Sequence, residues 1–381
     1  MSIIEPQRHL FDIPEEIAFF NIAYYSPQLN ETMNRLLAGA VAKSHPWERV
    51  TADFFDDAET IRTLASTIFG GDSDGYAVVP SASYGLSTAA RALEPHLKAG
   101  DRILVAAEEF PSNVFPWQRT AQEVGASVVT VPYPDDGDWT RAITSRIDQS
   151  VKVVATANCH WTNGAYIDLP TIGKACRDAG SMLVVDVTQS LGVMPLSMDE
   201  VQPDFLVAAG YKWLLCPYGF SLLYVSEQWR DARPLEESWF ARSNARDFTS
   251  LAEYSYTYMP GARRFEVGEK CTAILPGAIA ALEQIGAWGI ANIAETLSAF
   301  NGRIGAHLER LGFRLPDEAQ RCPHMLGALL PEGQAGDLVG ALRKDNIYIS
   351  QRGNALRFAP HLHINSHDEE RLMEALDRLM G

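Results

Sequence analysis

Two residues of this chain stand out by type and setting as able to do chemistry. Lys212 lies in AAGYKWLLCPYG and has the most apolar surroundings of the seven lysines (positions 43, 98, 152, 174, 212, 270 and 344). Withdrawing an ammonium group from water lowers its pKa and frees the amine to attack a carbonyl. Taken alone, the same run also fits a lysine whose stem lies along the core while its charge stays in water. Asp186 closes an apolar run in VVDVTQS. A buried carboxylate without a partner is costly, and ligands of open α/β sheets bind beyond the carboxyl ends of strands. By itself Asp186 reads equally well as a turn or cap residue.

A third run, VVPSASYGLSTAARAL, passes from an apolar strand through small residues into a helical pattern. Ser81, Ala82 and Ser83 would present backbone N–H groups and hydroxyls at a helix N-terminus, which suits a phosphate; an ordinary serine cap has the same appearance. Asp186 and Lys212 are separated by one strand-like unit, Phe205–Ala208, so both can reach one edge of a sheet. A lysine that condenses with a cofactor aldehyde and a carboxylate that keeps a pyridine nitrogen protonated are the pair that pyridoxal phosphate (PLP) requires to act as an electron sink. The dinucleotide fingerprint G-x-G-x-x-G is missing, which counts against a nicotinamide-dependent dehydrogenase, and neither a Walker A run nor H-E-x-x-H occurs.

The elements that must position these residues are legible as apolar runs. Strands are expected at Tyr76–Pro80, Arg102–Ala107, Ser127–Tyr133, Lys152–Ala157, Met182–Val187, Phe205–Ala208 and Phe220–Val225, and helices at Leu86–Leu97, Phe115–Val124 and Leu169–Ala179. Continuous apolar strands alternating with helices imply an α/β fold whose mostly parallel sheet is flanked by helices on both faces. Trp229–Pro260 reads as a long irregular connection. Helices at Ile274–Gln284 and Ile290–Leu311 lead into an α+β pattern: strands Met325–Leu330, Ile347–Gln351 and Ala355–Ala359, with helices Gly336–Asp345 and His367–Met380. The expected organisation is an N-terminal segment (1–25) packing with a small domain, a large cofactor-binding domain (26–260), and linking helices with a smaller α+β C-terminal domain (261–381).

Composition narrows the function. The formal net charge of −16 opposes binding to nucleic acid, whose phosphates need a basic face. Cys159, Cys176, Cys216, Cys271 and Cys322 are odd in number and widely spaced, so neither a disulfide framework nor a metal-binding motif is expected, and a reducing compartment fits. The acidic start MSIIEPQRHLFDIPEE lacks the features of a signal peptide. No run approaches the ~18 apolar residues of a membrane span. A cytoplasmic protein without membrane attachment is the expectation.

Taken in order, the small-residue turn, EFPSNVFPWQ, ANCHWTNGAYIDL, VVDVTQS and GYKW resemble the class V aminotransferase family of fold-type I PLP enzymes. That family includes cysteine desulfurases, selenocysteine lyases, kynureninases and isopenicillin N epimerase-like proteins. The similarity runs from NIAYYSPQ to LRFAPHLHIN. It implies PLP held by Lys212 as a Schiff base, with Asp186 paired to the ring nitrogen and Gln189 near the phenolic oxygen. It further implies Ala82, Ser83 and Tyr211 at the phosphate, Phe110 stacked on the ring, and His160 or Trp161 beside the O3′ side. Arg357 would grip a substrate carboxylate. The resemblance also implies a homodimer with the interface near residues 263–273, where Lys270 or Thr272 could reach the partner's phosphate. The loop ISQRGNALRF has no cysteine where desulfurases carry their nucleophile. The first expectation is therefore an amino-acid aminotransferase. A lyase without a nucleophilic cysteine comes second and an epimerase third; a catalytically inactive binding protein on the same fold is the alternative of another class.

Overall fold

The computed structural model describes residues 2–333 and 336–381; Met1 of the N-terminal segment and residues 334–335 of the C-terminal unit lie outside the described residues. Seven strands form the large sheet: β1 (Tyr76–Val79), β2 (Arg102–Ala106), β3 (Ser127–Val131), β4 (Val151–Ala157), β5 (Met182–Asp186), β6 (Phe205–Ala209) and β7 (Ser221–Val225). Their spatial order is β1-β7-β6-β5-β4-β2-β3. Only β7 opposes its neighbours; the pairs β6–β5, β5–β4, β4–β2 and β2–β3 are parallel.

The strands are apolar at most positions because both faces are covered. Leu183, Val185, Leu206 and Ala208 join one core, packed with the helices Asp56–Phe69, Leu169–Ala179 and Leu275–Trp288. Val184, Val207 and Val153 join the other, with the helices Ala82–Leu93 and Phe115–Val124. Side chains alternate between faces along a strand, so the runs supply two cores and read as largely hydrophobic.

A third core belongs to the C-terminal region. There β8 (Leu326–Leu329), β9 (Ser350–Arg352) and β10 (Ala355–Phe358) form an antiparallel sheet in the order β9-β10-β8, against the helices Ile290–Arg310, Leu338–Lys344 and Ser366–Met380. The start of the chain is stitched to it. Ala18–Phe19 pairs in parallel with Ile347–Tyr348, the Ile22 N–H donates to the Ala359 carbonyl at 3.0 Å, and Arg8 pairs with Asp368 at 2.8 Å.

Three departures from the sequence-based expectations bear on the architecture. The expected strand Ile347–Gln351 is two short strands that break at Ile349 and pair with different partners. The helix after β1 starts at Ala82 rather than Leu86, because the Ser81 hydroxyl accepts the Tyr84 N–H at 3.1 Å and caps it there. Helices Asn30–Ala42 and Asp56–Phe69 occupy a stretch with no assigned element.

Candidate functional site

Asp186 is the last residue of β5, and Lys212 lies three residues beyond the end of the parallel neighbour β6. Both therefore emerge at the carboxyl edge of the sheet, where a cavity of about 260 Å³ opens. The exits of β1, β2 and β4 complete its wall with Ser81, Ala82 and Ser83, with Glu109 and Phe110, and with Ala157, Cys159 and Trp161.

The turn that carries Lys212 is tightly determined. A Cβ at Gly210 would lie 2.8 Å from the Phe220 carbonyl, so only glycine passes there. Leu215 adopts φ +53°, and its N–H donates to the Lys212 carbonyl at 3.1 Å. A left-handed leucine is a strained conformation that the surrounding packing must enforce. The Lys212 ammonium nitrogen lies 5.5 Å from the centre of the Phe110 ring and 5.6 Å from that of Tyr211. Burial lowers its pKa to about 8; the Asp186 carboxylate opposes that shift, while the Arg357 and Arg352 charges add to it.

Burial pushes the Asp186 carboxyl upward, and the Thr188 hydroxyl, the Thr188 N–H (2.9 Å) and the Lys212 charge pull it back. Thr188 also accepts the Ala209 N–H at 3.0 Å, so one hydroxyl ties the end of β5 to the end of β6. The amine and the carboxylate are thereby held on one rigid edge.

A pH prediction arises from Lys212. Only the neutral amine condenses with an aldehyde, and it predominates above its pKa. Reconstitution of cofactor-free protein with PLP, followed by absorbance, should become half-maximal near pH 8 and slow roughly tenfold per unit below it. A midpoint near that of an ordinary lysine would contradict the burial described here.

At the opposite end of the cavity, Ser81, Ala82 and Ser83 surround the N-terminus of the helix Ala82–Leu93. The Ser83 hydroxyl pairs with that of Ser112 at 2.8 Å, and Tyr211 packs on Tyr218 at 4.8 Å. Phe110 is 37% exposed and lines the cavity, with the face of its ring toward the Lys212 amine. A buried amine, a buried carboxylate, an open aromatic face and a hydroxyl-rich helix N-terminus are the donors and surfaces that a phosphorylated pyridine aldehyde needs, and PLP fits them.

Four expectations need placing. His160 is not on the cavity wall. Strand alternation sends Cys159 and Trp161 into the cavity and His160 behind it, where its ring stacks on Trp139 at 5.0 Å and bonds to the Ala107 carbonyl at 3.0 Å. Trp161, the alternative beside it, holds the lining position and donates to the Glu108 carbonyl at 2.7 Å. Gln189 lines the cavity, but its amide oxygen accepts from Trp213 at 2.9 Å and its nitrogen donates to the Ala23 carbonyl at 3.2 Å, leaving one N–H free. Arg357 stands just behind Trp161, whose carbonyl it binds at 2.6 Å, and it donates to the Ser350 hydroxyl at 3.1 Å. Its Nη2 is buried without a partner. Lys270 is buried and paired with Glu266 at 2.6 Å, which occupies its charge within its own chain.

Several lining residues escaped the sequence reading: Glu109, Ser112, Cys159 and Thr188. Glu109 is buried, and burial together with the nearby Asp186 charge pushes its carboxyl up to about 8. It is therefore mostly neutral at pH 7 and does not compete with Asp186 for a cation. Its signal was available, since it follows an apolar strand much as Asp186 ends one. Gly71–Gly75 has the G-x-S-x-G spacing of a hydrolase elbow, a motif that the sequence reading counted as missing. Its serine, Ser73, lies in a turn entering β1, at the sheet edge opposite the cavity.

Comparison with known proteins agrees with this geometry. The model of the family described as Aminotransferase class-V matches residues 28–366. The uncharacterized aminotransferase YcbU of Bacillus subtilis is 24% identical over 353 residues, covering 89% of this chain and 91% of its own. A probable cysteine desulfurase of Pyrococcus abyssi is 27% identical over 244 residues, covering 64% of this chain and 56% of its own. Among solved structures, the apo cysteine desulfurase of Thermococcus onnurineus superposes with a TM-score of 0.86 at 19% identity, covering 100% of this chain and 99% of that one. A lysine mutant of C-DES with glycine covalently linked to its PLP cofactor superposes with a TM-score of 0.86 at 18% identity, covering 98% and 99%. This chain belongs to the class V aminotransferase family and is a PLP-dependent enzyme.

Proposed function

We propose that the protein is an aminotransferase acting on an α-amino acid. The observation that carries this reading is the pairing of Lys212 with Arg357: a buried amine of lowered pKa, and a buried guanidinium with a free Nη2 close enough to depress it. An α-amino acid presents the matching amine and carboxylate. PLP, when bound, supplies an aldehyde that condenses with amines and a ring that draws electrons from the substrate's α-carbon. The residues of this chain do the rest. Lys212, neutral above about pH 8, takes the α-proton and returns it. Asp186 keeps a positive charge on the ring nitrogen, and Ser83, with the helix N-terminus at Ala82, holds the phosphate. Phe110 covers one face and excludes water. Tyr211 borders the phosphate end, and Gln189 offers its free N–H.

The β9–β10 hairpin supports transamination over sulfur abstraction, because neither its turn, Gly353–Asn354, nor the preceding strand residues Gln351 and Arg352 carry a thiol. Relatives that span most of the chain, in Bacillus subtilis and Schizosaccharomyces pombe, carry the name aminotransferase. A lyase is the second reading, favoured by the desulfurase relatives at 27% identity. A panel of L- and D-amino acids separates them. Transamination gives one equivalent of oxo acid and a lasting loss of the visible band that a second oxo acid restores. Catalytic release of a β-substituent with return of the band establishes the lyase instead, and inversion alone an epimerase.

Arg357→Ala should raise KM for the carboxylate substrate roughly 10–150-fold, the equivalent of a lost charged hydrogen bond, with the PLP band intact. Unchanged kinetics would remove the clamp. We further place the protein in the cytoplasm as a homodimer with its interface near residues 263–273. The exposed stripe of Met33, Leu37 and Val41 on the helix Asn30–Ala42 is an apolar surface suited to a subunit contact. Sedimentation of the purified protein tests the dimer.

A further inference from the structure

The β9–β10 hairpin brings two arginines to Trp161. In its antiparallel register Ser350 faces Arg357, and Arg352 stands two residues along β9 from Ser350. Alternate positions of a strand share a face, so Ser350, Arg352 and Arg357 project from one side of the hairpin. Diagonal neighbours of this kind lie about 7–8 Å apart. That side is the inward one. Ser350 is buried and its hydroxyl accepts from Arg357 at 3.1 Å, whereas Gln351, between Ser350 and Arg352, is exposed. Gly353, at φ +55°, reverses the chain immediately after Arg352.

Both guanidiniums rest on Trp161, which lines the cavity. Arg357 donates to its carbonyl at 2.6 Å, and the Arg352 guanidinium carbon lies 5.8 Å from the centre of its ring. The ring is itself fixed, with its N–H on the Glu108 carbonyl and Phe110 packed edge-on at 5.5 Å. A guanidinium stacked on an aromatic face keeps its N–H edges for other partners. Arg352 uses them for a single bond, from Nη1 to the carbonyl of its neighbour Gln351 at 2.8 Å. Arg357 has its Nη2 buried without a partner. Among the described residues neither arginine has a carboxylate at ion-pair distance, although the chain holds 48 acidic residues against 32 basic ones. The two charges act on each other and on the amine. Burial and the Arg352 charge push Arg357 down to about 9, and both arginines disfavour the protonated form of Lys212. One bound carboxylate matches one of these guanidiniums and leaves the other unmatched.

We propose that the substrate is an α-amino acid whose side chain ends in a second carboxylate, held by Arg352 while Arg357 takes the α-carboxylate. The word substrate rests on the aminotransferase reading above; the two-carboxylate subsite does not. A guanidinium fork suits a carboxylate in two parallel hydrogen bonds. An amide or apolar side chain in the same place leaves Arg352 uncompensated beside Arg357, which sets the selectivity.

Calorimetry on the PLP-loaded protein reads the subsite without turnover. Glutarate, a dicarboxylate with no amine, should bind at least about tenfold more tightly than butyrate, and Arg352→Gln should remove that difference. Arg352→Lys keeps the charge but not the fork, and should retain part of it. Steady-state kinetics then compare glutamate with glutamine and aspartate with asparagine, pairs of nearly equal shape that differ in side-chain charge. The better acid should be favoured over its amide by about 10–150-fold in kcat/KM, and Arg352→Gln should bring that ratio close to one. Equal binding of glutarate and butyrate, or a glutarate preference that survives in Arg352→Gln, would overturn the proposal. Arg352 is only half-buried; should a variant still fail to fold, the glutarate-to-butyrate ratio of the unsubstituted protein decides. Arg352-dependent binding of glutarate in a protein that transaminates neither acid supports the subsite and removes the aminotransferase reading instead.

Discussion

Replacing Lys212 by alanine is expected to abolish covalent capture of PLP and to reduce turnover roughly a thousandfold or more. Lys212 is the one amine among the residues lining the cavity, and no other lysine can take its place. Lys270 is locked to Glu266 and Lys174 pairs with Asp178 at 2.6 Å, both elsewhere. The substitution removes two functions at once, the nucleophile that forms the imine and the base that moves the α-proton. Loss of a positioned base alone costs about 10²–10⁴-fold. Borohydride treatment and peptide mapping give the check. Label should appear on Lys212 in the parent protein and vanish in the variant, while PLP still binds non-covalently at the Ser81–Ser83 end. A borohydride-fixed cofactor in Lys212→Ala would end the assignment.

Asp186→Asn should spare PLP binding and lower turnover by roughly 10²–10³-fold, since removing one partner of a buried charge pair costs about 3–5 kcal/mol. A second readout separates this role from general damage. The Asp186 charge favours protonated Lys212. Without it the lysine pKa falls, so the pH midpoint of reconstitution should move below about 8. A variant that loses activity with an unmoved midpoint would place Asp186 outside the reach of the amine.

What was legible in the residues follows physical lines. Asp186 and Lys212 could be paired because a carboxylate and an ammonium are conspicuous in buried apolar runs, and the seven strands were visible for the same reason. Four strands of the large sheet were read past their ends, at Pro80, Ala107, Tyr133 and Val187, and two of the small sheet, at Leu330 and Ala359. Ala107 and Val187 still donate their N–H groups to the Val131 and Val207 carbonyls at 2.8 Å, so the ladder ends gradually, and Pro80 stays apolar where it walls the cavity. His160 illustrates the opposite failure. Composition marked it as chemically able, but only the alternation of Cys159, His160 and Trp161 along one extended segment decides which side chains face inward. Glu109 and Thr188 were missed because an acid in a charged turn and a threonine after a strand are ordinary until their neighbours are known. The helix Asn30–Ala42 was missed because Met33, Leu37 and Val41 point away from the core and blur its pattern.

The stitching of the first residues to the C-terminal sheet has a mechanical side. Ile22 is bonded to Ala359 at the end of β10. Ser26 donates both its N–H and its hydroxyl to the Tyr211 carbonyl, at 3.2 and 3.0 Å, immediately before Lys212. Between them, the Ala23 carbonyl receives the Gln189 amide. Five consecutive residues thus act as a connecting rod from the small sheet to the turn under the amine. Any swing of the C-terminal region is delivered straight to the reacting end of the cavity, without passing through the large sheet.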